Sequence, residues 1–307
     1  MKKHGLLYKI GKQKELIFIA LPFFVYTFIF SYYPLWGWLM AFQNYRSSSI
    51  IKFWEQEWVG LQQFKTLFGG AEFPRVIRNT LGMGVINLVL HFVSAILFAL
   101  LLNELFTRRF KRVVQTISYL PHFLSMIIVV SLAQNMLSME DGVINQALLA
   151  LGLVQEKVHF MGNPNYFWWI IGFTNVWKEM GWNTIIYLAS ITSIDPTLYE
   201  AADIDGANRL QKNMYITLPG IKSTIVILLI LNVGWVLNVG FEMPYLFRNG
   251  FVADVANTID IYVVEKGMSR LNFSLATAAG MFKTVVSIVL IGFCNWIAGR
   301  MGEEKLI

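Results

Sequence analysis

The chain has 307 residues, of which 56% are hydrophobic and only 14% charged, and it carries a net charge of +6. Soluble domains hold about 25% charged and 45–50% apolar residues, so the composition excludes an ordinary soluble domain and calls for a bilayer as solvent. The one cysteine, Cys294, excludes a disulfide framework within one chain, and His4, His91, His122 and His159 match no metal-ligand spacing.

The N-terminal lysines, Lys2, Lys3, Lys9, Lys12 and Lys14, precede an apolar run at 16–42. That run exceeds the ~7–15 residues of a signal-peptide core and no small-residue cleavage site follows it, so it is expected to stay as a first span. It contains Pro22 and ends in Tyr32, Tyr33, Trp36 and Trp38, a cluster suited to the membrane interface. Further apolar segments lie at 80–102, 113–137 (with Pro121 inside), 167–191, 221–241 and 273–298. A helix of roughly 20 apolar residues crosses the hydrocarbon core and satisfies its own backbone there. The pattern therefore predicts an all-α membrane protein: six transmembrane helices forming one domain over 1–307.

Lys and Arg set the orientation. The N-terminal lysines, Arg108, Arg109, Lys111 and Arg112, then Arg209, Lys212 and Lys222, and finally Arg300 and Lys305 fall on one side in dense groups. Arg46, Lys52, Lys65, Arg75, Arg78, Lys157, Arg248, Lys266 and Arg270 are spread over longer loops on the other. Both termini and the loop 193–219 are thus expected in the cytoplasm. The positive charge reads as membrane anchoring rather than as a nucleic-acid surface.

Several spans carry polar residues, and an ionisable group at the membrane centre costs at least ~2.5–3.5 kcal/mol on insertion scales. Asn87 and His91 sit one turn apart in the second span. Asn175, Glu179 and Asn183 recur at i, i+4, i+8 in the fourth, beside a stripe of Thr174, Lys178 and Trp182. Asn232, Trp235, Asn238 and Glu242 share a predicted face of the fifth, and Lys283 lies within the sixth. Amides on such faces also hold helices together. An ion pair of Glu179 with Lys283 or Lys178 would likewise need no ligand.

Between the fourth and fifth spans, Asp195 is a good N-cap with Pro196 at the first helical position. Glu200 and Asp203 flank Ala201 and Ala202, Asp205 precedes Gly206, where a break with positive φ is expected, and a second helical stretch runs to Leu218 and Pro219. The small face of Ala201, Ala202 and Ala207 would let another protein approach closely. As residues alone, this is either a well-capped connector or a docking element.

The string YEAADIDGA at 199–207, followed by ITLP at 216–219, resembles the EAA loop of ABC-importer permeases and lies between the expected pair of spans. WVGL at 58–61, RNT at 78–80, LLNE at 101–104, KRVVQTISYLPHF at 111–123 and WKEMGW at 177–182 extend the likeness over nearly the whole chain. They resemble the LplB-like permeases of binding-protein-dependent (type I) carbohydrate importers of bacteria. The resemblance implies that Glu200, Ala201, Ala202, Asp203, Asp205, Gly206, Leu218 and Pro219 belong to a cytoplasmic coupling helix and its flank. It implies a second, homologous permease as heterodimer partner, two ATPase subunits that bind ATP and Mg, and an extracellular sugar-binding lipoprotein.

The chain contains no phosphate loop, nucleophile elbow or metalloprotease motif, so no cofactor, metal or catalytic residue is expected within it. Sugars are held by aromatic rings and by amides. Asn232, Trp235, Asn238 and Glu242, with Asn175, Glu179, Trp182, Asn183 and Lys283, are therefore the candidates for a translocation path taking oligosaccharides. Surplus positive charge at Lys178 and Lys283 would suit an acidic sugar such as a uronate. The rival readings are an ABC permease for a non-sugar solute and an ATP-independent secondary transporter.

Overall fold

The computed structural model describes residues 13–47, 52–105 and 107–300, and among them it is helical with one isolated antiparallel bridge, Gln43 to Trp58. The chain divides into two units, Met1–Gly69 with Glu265–Met281, and Gly70–Val264 with Phe282–Ile307. The basic residues Lys2, Lys3, Lys9, Lys12 and Lys305 lie outside the described residues.

In the first unit, α1 (Lys14–Phe42) is a continuous apolar helix. It passes from α-helix into a π turn at Phe28–Tyr32 and a 3-10 stretch at Tyr33–Phe42, where Pro34 withholds a donor. No residue of its first fourteen, Lys14–Thr27, is buried. The segment after it folds back: Asn44 N–H donates to Glu57 O at 2.8 Å and Val59 N–H to Phe42 O at 2.9 Å. The Gln56 amide clasps the backbone of Arg46 in both directions. Then comes α2 (Gln62–Gly69).

In the second unit, α3 (Glu72–Asn103) packs along α7 (Pro164–Thr192), which Asn163 caps by accepting the Asn165 N–H. Between them in sequence come α4 (Arg108–Phe123), α5 (Met126–Met136) and α6 (Val143–Ala150). After α7 follow α8 (Pro196–Ile204), α9 (Arg209–Gly220), α10 (Lys222–Gly234), α11 (Glu242–Phe247), α12 (Ala253–Ala256) and α13 (Ile259–Val264). The last helix, α14 (Phe273–Arg300), starts in the first unit and ends in the second.

The apolar core of the second unit comes in two parts. Met83, Phe167, Ile170, Ile171, Met243 and Phe247 pack together near the start of α7. Ala95, Ala99, Leu102, Tyr187, Leu188, Ile191 and Ile221 pack near its end. Asn87 and His91 of α3 and Asn175, Lys178, Glu179 and Asn183 of α7 fall in the interval between, so burial of the two apolar ends positions a polar band midway along the pair.

Among the described residues, α1, α3 and α14 each suffice by length and apolar composition to cross a membrane, and the number reaches five if two bent pairs each count as one span. The expected span 113–137 is one of these: α4 and α5 meet at 105°. Pro121 cannot donate into the helix, Leu124 is extended, and Ser125 starts α5 afresh by accepting the Ile128 N–H. The expected span 221–241 is shorter. α10 bends 65° from α9 and ends at Gly234, and Gly240 takes a left-handed φ of 86°. Asn232, Trp235, Asn238 and Glu242 therefore do not share one helix face. Asn232 closes α10, Trp235 and Asn238 lie in the unwound stretch, and Glu242 opens α11. The expected span 167–191 is a single helix, α7, whose apolar content is diluted by Asn175, Lys178, Glu179 and Asn183.

A polar pocket between helices and a capped loop

Unwinding after Gly234 turns Trp235, Val236, Asn238 and Val239 toward α3 and α7. With Gly84, Asn87, Leu88 and His91 of α3, Asn175 of α7 and Asn232, they line a pocket of about 130 Å³. At ~30 Å³ per water this holds a few waters. A methyl group on Gly84 would collide with the Val236 carbonyl, so glycine there is what lets the unwound segment approach α3. The pocket carries no formal charge apart from any on His91. Its chemistry is four amides and one indole, with Trp235 66% exposed. Asn87 Oδ1 is buried without a hydrogen-bond partner among the described residues. Asn232 Nδ2 donates back to Leu228 O at 2.7 Å.

One edge of the pocket continues into a charged network. Asn183 Nδ2 donates to Glu179 O at 2.8 Å and meets His91 Nε2 at 2.6 Å. With Asn183 donating, His91 accepts at Nε2 and carries its proton on Nδ1. Glu179 meets His122 Nδ1 at 2.7 Å through one oxygen and Lys178 Nζ at 3.1 Å through the other. Lys178 also donates to the His122 carbonyl at 2.7 Å, and the Trp182 ring lies parallel on the His122 ring with centroids 4.4 Å apart. The bend between α4 and α5 is thereby fastened to α7 through its own histidine.

Of the proposed path residues, the fold brings Asn175, Asn232, Trp235 and Asn238 together and attaches Glu179, Trp182 and Asn183 beside them. Two stand apart. Glu242 is exposed at the start of α11 and does not line the pocket. Lys283 pairs with Asp260 of α13, so of the two expected partners of Glu179 the fold supplies Lys178, joined by His122. Lys178 and Lys283 are thus both engaged by groups of the chain itself. Asp260 was missed in the sequence, although a carboxylate in the apolar stretch Ile259–Val264 is itself the signal of a buried partner.

The segment from Asp195 to Gly220 has the geometry its residues predict. Asp195 Oδ1 accepts the Thr197 N–H at 2.9 Å, and this bond holds the carboxyl below its usual range. α8 ends in a Schellman motif: Ala207 N–H donates to Ala202 O at 2.9 Å and Gly206 N–H to Asp203 O at 3.2 Å. Gly206 takes φ 74°. Asn208 and Gln211 then form a reciprocal capping box for α9. Asp203 pairs with Lys212 across the turn. Glu104 ties the element to the end of α3, pairing with Arg209 and accepting from Asn213 Nδ2 at 3.0 Å. Glu200 and Ala201 are exposed, and so are the large apolar side chains of Leu198, Ile204, Leu210, Met214 and Tyr215.

Residues 91–303 match the family described as "Binding-protein-dependent transport system inner membrane component". The chain is 44% identical over 99% of its length to the Bacillus subtilis polygalacturonan/rhamnogalacturonan transport system permease protein YteP, covering 94% of that protein. It is 41% identical over 97% of its length to Bacillus subtilis LplB, covering 92% of it. It superposes with a TM-score of 0.88 and 37% identity on a chain of a bacterial alginate ABC transporter crystallised with an alginate pentasaccharide-bound periplasmic protein, covering 98% of this chain and 99% of that one.

Proposed function

The chain belongs to the binding-protein-dependent transport system inner membrane components and is a permease component of a carbohydrate ABC importer; from that premise we propose that it passes acidic oligosaccharides across the bacterial cytoplasmic membrane by alternating access. The single observation that carries this reading is the amide-and-indole pocket set between two apolar cores of one helix pair. Neutral amides offer both donors and acceptors at no net charge, and an exposed indole face accepts the apolar side of a pyranose. The acidic class is supported by YteP, whose name gives a polymer of uronates, and by the alginate transporter.

In this reading the chain crosses the membrane six times. The bent pairs α4–α5 and α9–α10 count as spans, α7 is the polar fourth, and both termini are cytoplasmic. The segment 193–219 is the coupling element, with Glu200, Ala201, Ala202, Asp203, Asp205 and Gly206 at its tip and Leu218 and Pro219 at the entry to the next span. Its exposed Ile204, Leu210 and Tyr215 rest in a groove of a cytoplasmic ATPase subunit. ATP and Mg bind to two such subunits. A second homologous permease completes the path, and an extracellular lipoprotein delivers the sugar. ATP binding draws the ATPases together, the coupling elements carry that motion into the spans, and the pocket is presented outward; hydrolysis resets it. Both ATP and the loaded binding protein bias one two-state equilibrium, so each must raise the apparent affinity for the other.

The test is uptake of trigalacturonate into vesicles holding the whole importer. Trp235→Ala with Asn175→Ala is expected to lower uptake at least tenfold while the complex still assembles and hydrolyses ATP. Undiminished uptake by that variant would remove the pocket from the path.

A further inference from the structure

We infer that the start of α4 is a binding site for the headgroup of an anionic phospholipid. Arg108, Arg109, Lys111 and Arg112 put four cations into five residues, and none has a carboxylate partner among the described residues. Glu104, the carboxylate nearest in sequence, is engaged by Arg209 and Asn213. The first turn of α4 holds no acidic residue. The helix dipole disfavours cations at this end, so local helix energetics work against the arrangement and an external anion offsets it.

The same helix presents a second feature that identifies the class of anion. Phe110, Val113, Ile117 and Leu120, spaced i, i+3, i+7 and i+10, fall on one side and are all exposed, while Val114 packs into the core at the end of α3 and α7. The apolar stripe runs about 15 Å along the helix from the cations. A headgroup held by the cations would lay its acyl chains along that stripe. Three of the four cations are arginines, whose planar fork matches a phosphate bidentately. A cation group at the end of a spanning segment, joined to a lipid-facing stripe, is the arrangement that captures acidic lipid rather than a soluble anion.

The experiment is native mass spectrometry of the assembled importer released from vesicles of phosphatidylglycerol and phosphatidylcholine. The natural chain is expected to keep phosphatidylglycerol selectively, and R108Q/R109Q/K111Q/R112Q to lose that selectivity at least tenfold. R108K/R109K/R112K should retain binding in part, since it keeps charge but not the fork. Equal phosphatidylglycerol retention by the natural chain and the glutamine variant would overturn the site. Two other results would also overturn it: displacement of the lipid by inorganic phosphate at equal concentration, which would assign a soluble anion, and loss of an ATPase subunit from the glutamine variant in lipid-free detergent, which would assign the patch to protein docking.

Discussion

The ammonium of Lys283 meets one carboxylate oxygen of Asp260, and the other oxygen is buried without a hydrogen-bond partner among the described residues. Removing one member of such a pair leaves an uncompensated charge, which costs about 3–5 kcal/mol, whereas replacing both by neutral groups of similar volume is often tolerated. Lys283→Met alone is thus expected to reduce the yield of assembled importer sharply, and D260N/K283M to recover it. If the recovered double variant then takes up trigalacturonate within a few-fold of the natural chain, the lysine is structural. Well-assembled protein with uptake abolished would return Lys283 to the sugar path. Lys178 is held in the same manner by Glu179 and the His122 carbonyl. Both lysines are engaged within the chain, so under the proposed function a uronate carboxylate would have to meet the pocket amides or the partner permease.

At the scale of elements, the capped loop shows what local chemistry dictates. Asp195, Pro196 and Gly206 each have a conformational preference that stands without tertiary context, and each takes it in the fold. Alanine at Gly206 would have to adopt the left-handed region at roughly 1–2 kcal/mol, and proline cannot adopt φ 74° at all. Gly206→Ala is expected to weaken coupling of ATP hydrolysis to uptake and Gly206→Pro to abolish it, both with normal membrane insertion; full coupling in the proline variant would dismiss the element. The Asp195 cap carries a pH sign. Its carboxyl is depressed in the fold by the Thr197 N–H, so the stabilisation is present above the ordinary carboxylate range and is lost as pH falls through the lowered value. Amide exchange at Thr197 should rise on acidification beyond its intrinsic rate, and Asp195→Asn should flatten that dependence.

The remaining elements divide along the same line. The apolar runs were legible because period and length alone decide them, and α1, α3 and α14 fall where the runs predict. The 105° turn after Pro121 and the end of α10 at Gly234 were not, since a proline or glycine signals a break without fixing its angle. The pocket depends on the break at Gly234. Assuming a continuous fifth helix put Asn232, Trp235, Asn238 and Glu242 on one face, whereas unwinding keeps the first three at the pocket and leaves Glu242 outside. Asn87 and His91 completed the pocket from α3, and only the packing of Gly84 against the Val236 carbonyl reveals why they meet.

For the whole molecule, the exposed apolar side chains raise no difficulty, because lipid tails solvate them as well as protein does. The exposed polar ones do. Trp235 and Asn238 line the pocket yet remain exposed, and an amide facing hydrocarbon without partners is costly. In the proposed assembly the second permease should therefore close the pocket and make it a water-filled passage between the two chains. This is testable at one atom. In a Cys294→Ser background, which removes the one native thiol, Asn238→Cys should be labelled by a membrane-impermeant maleimide in the assembled importer, and trigalacturonate delivered by the binding protein should slow the labelling. A nitroxide quencher confined to the acyl chains should fail to reach a fluorophore at that position. Quenching by the lipid probe with no maleimide reaction would place position 238 against lipid, and the pocket would then be a structural seam rather than half of a passage.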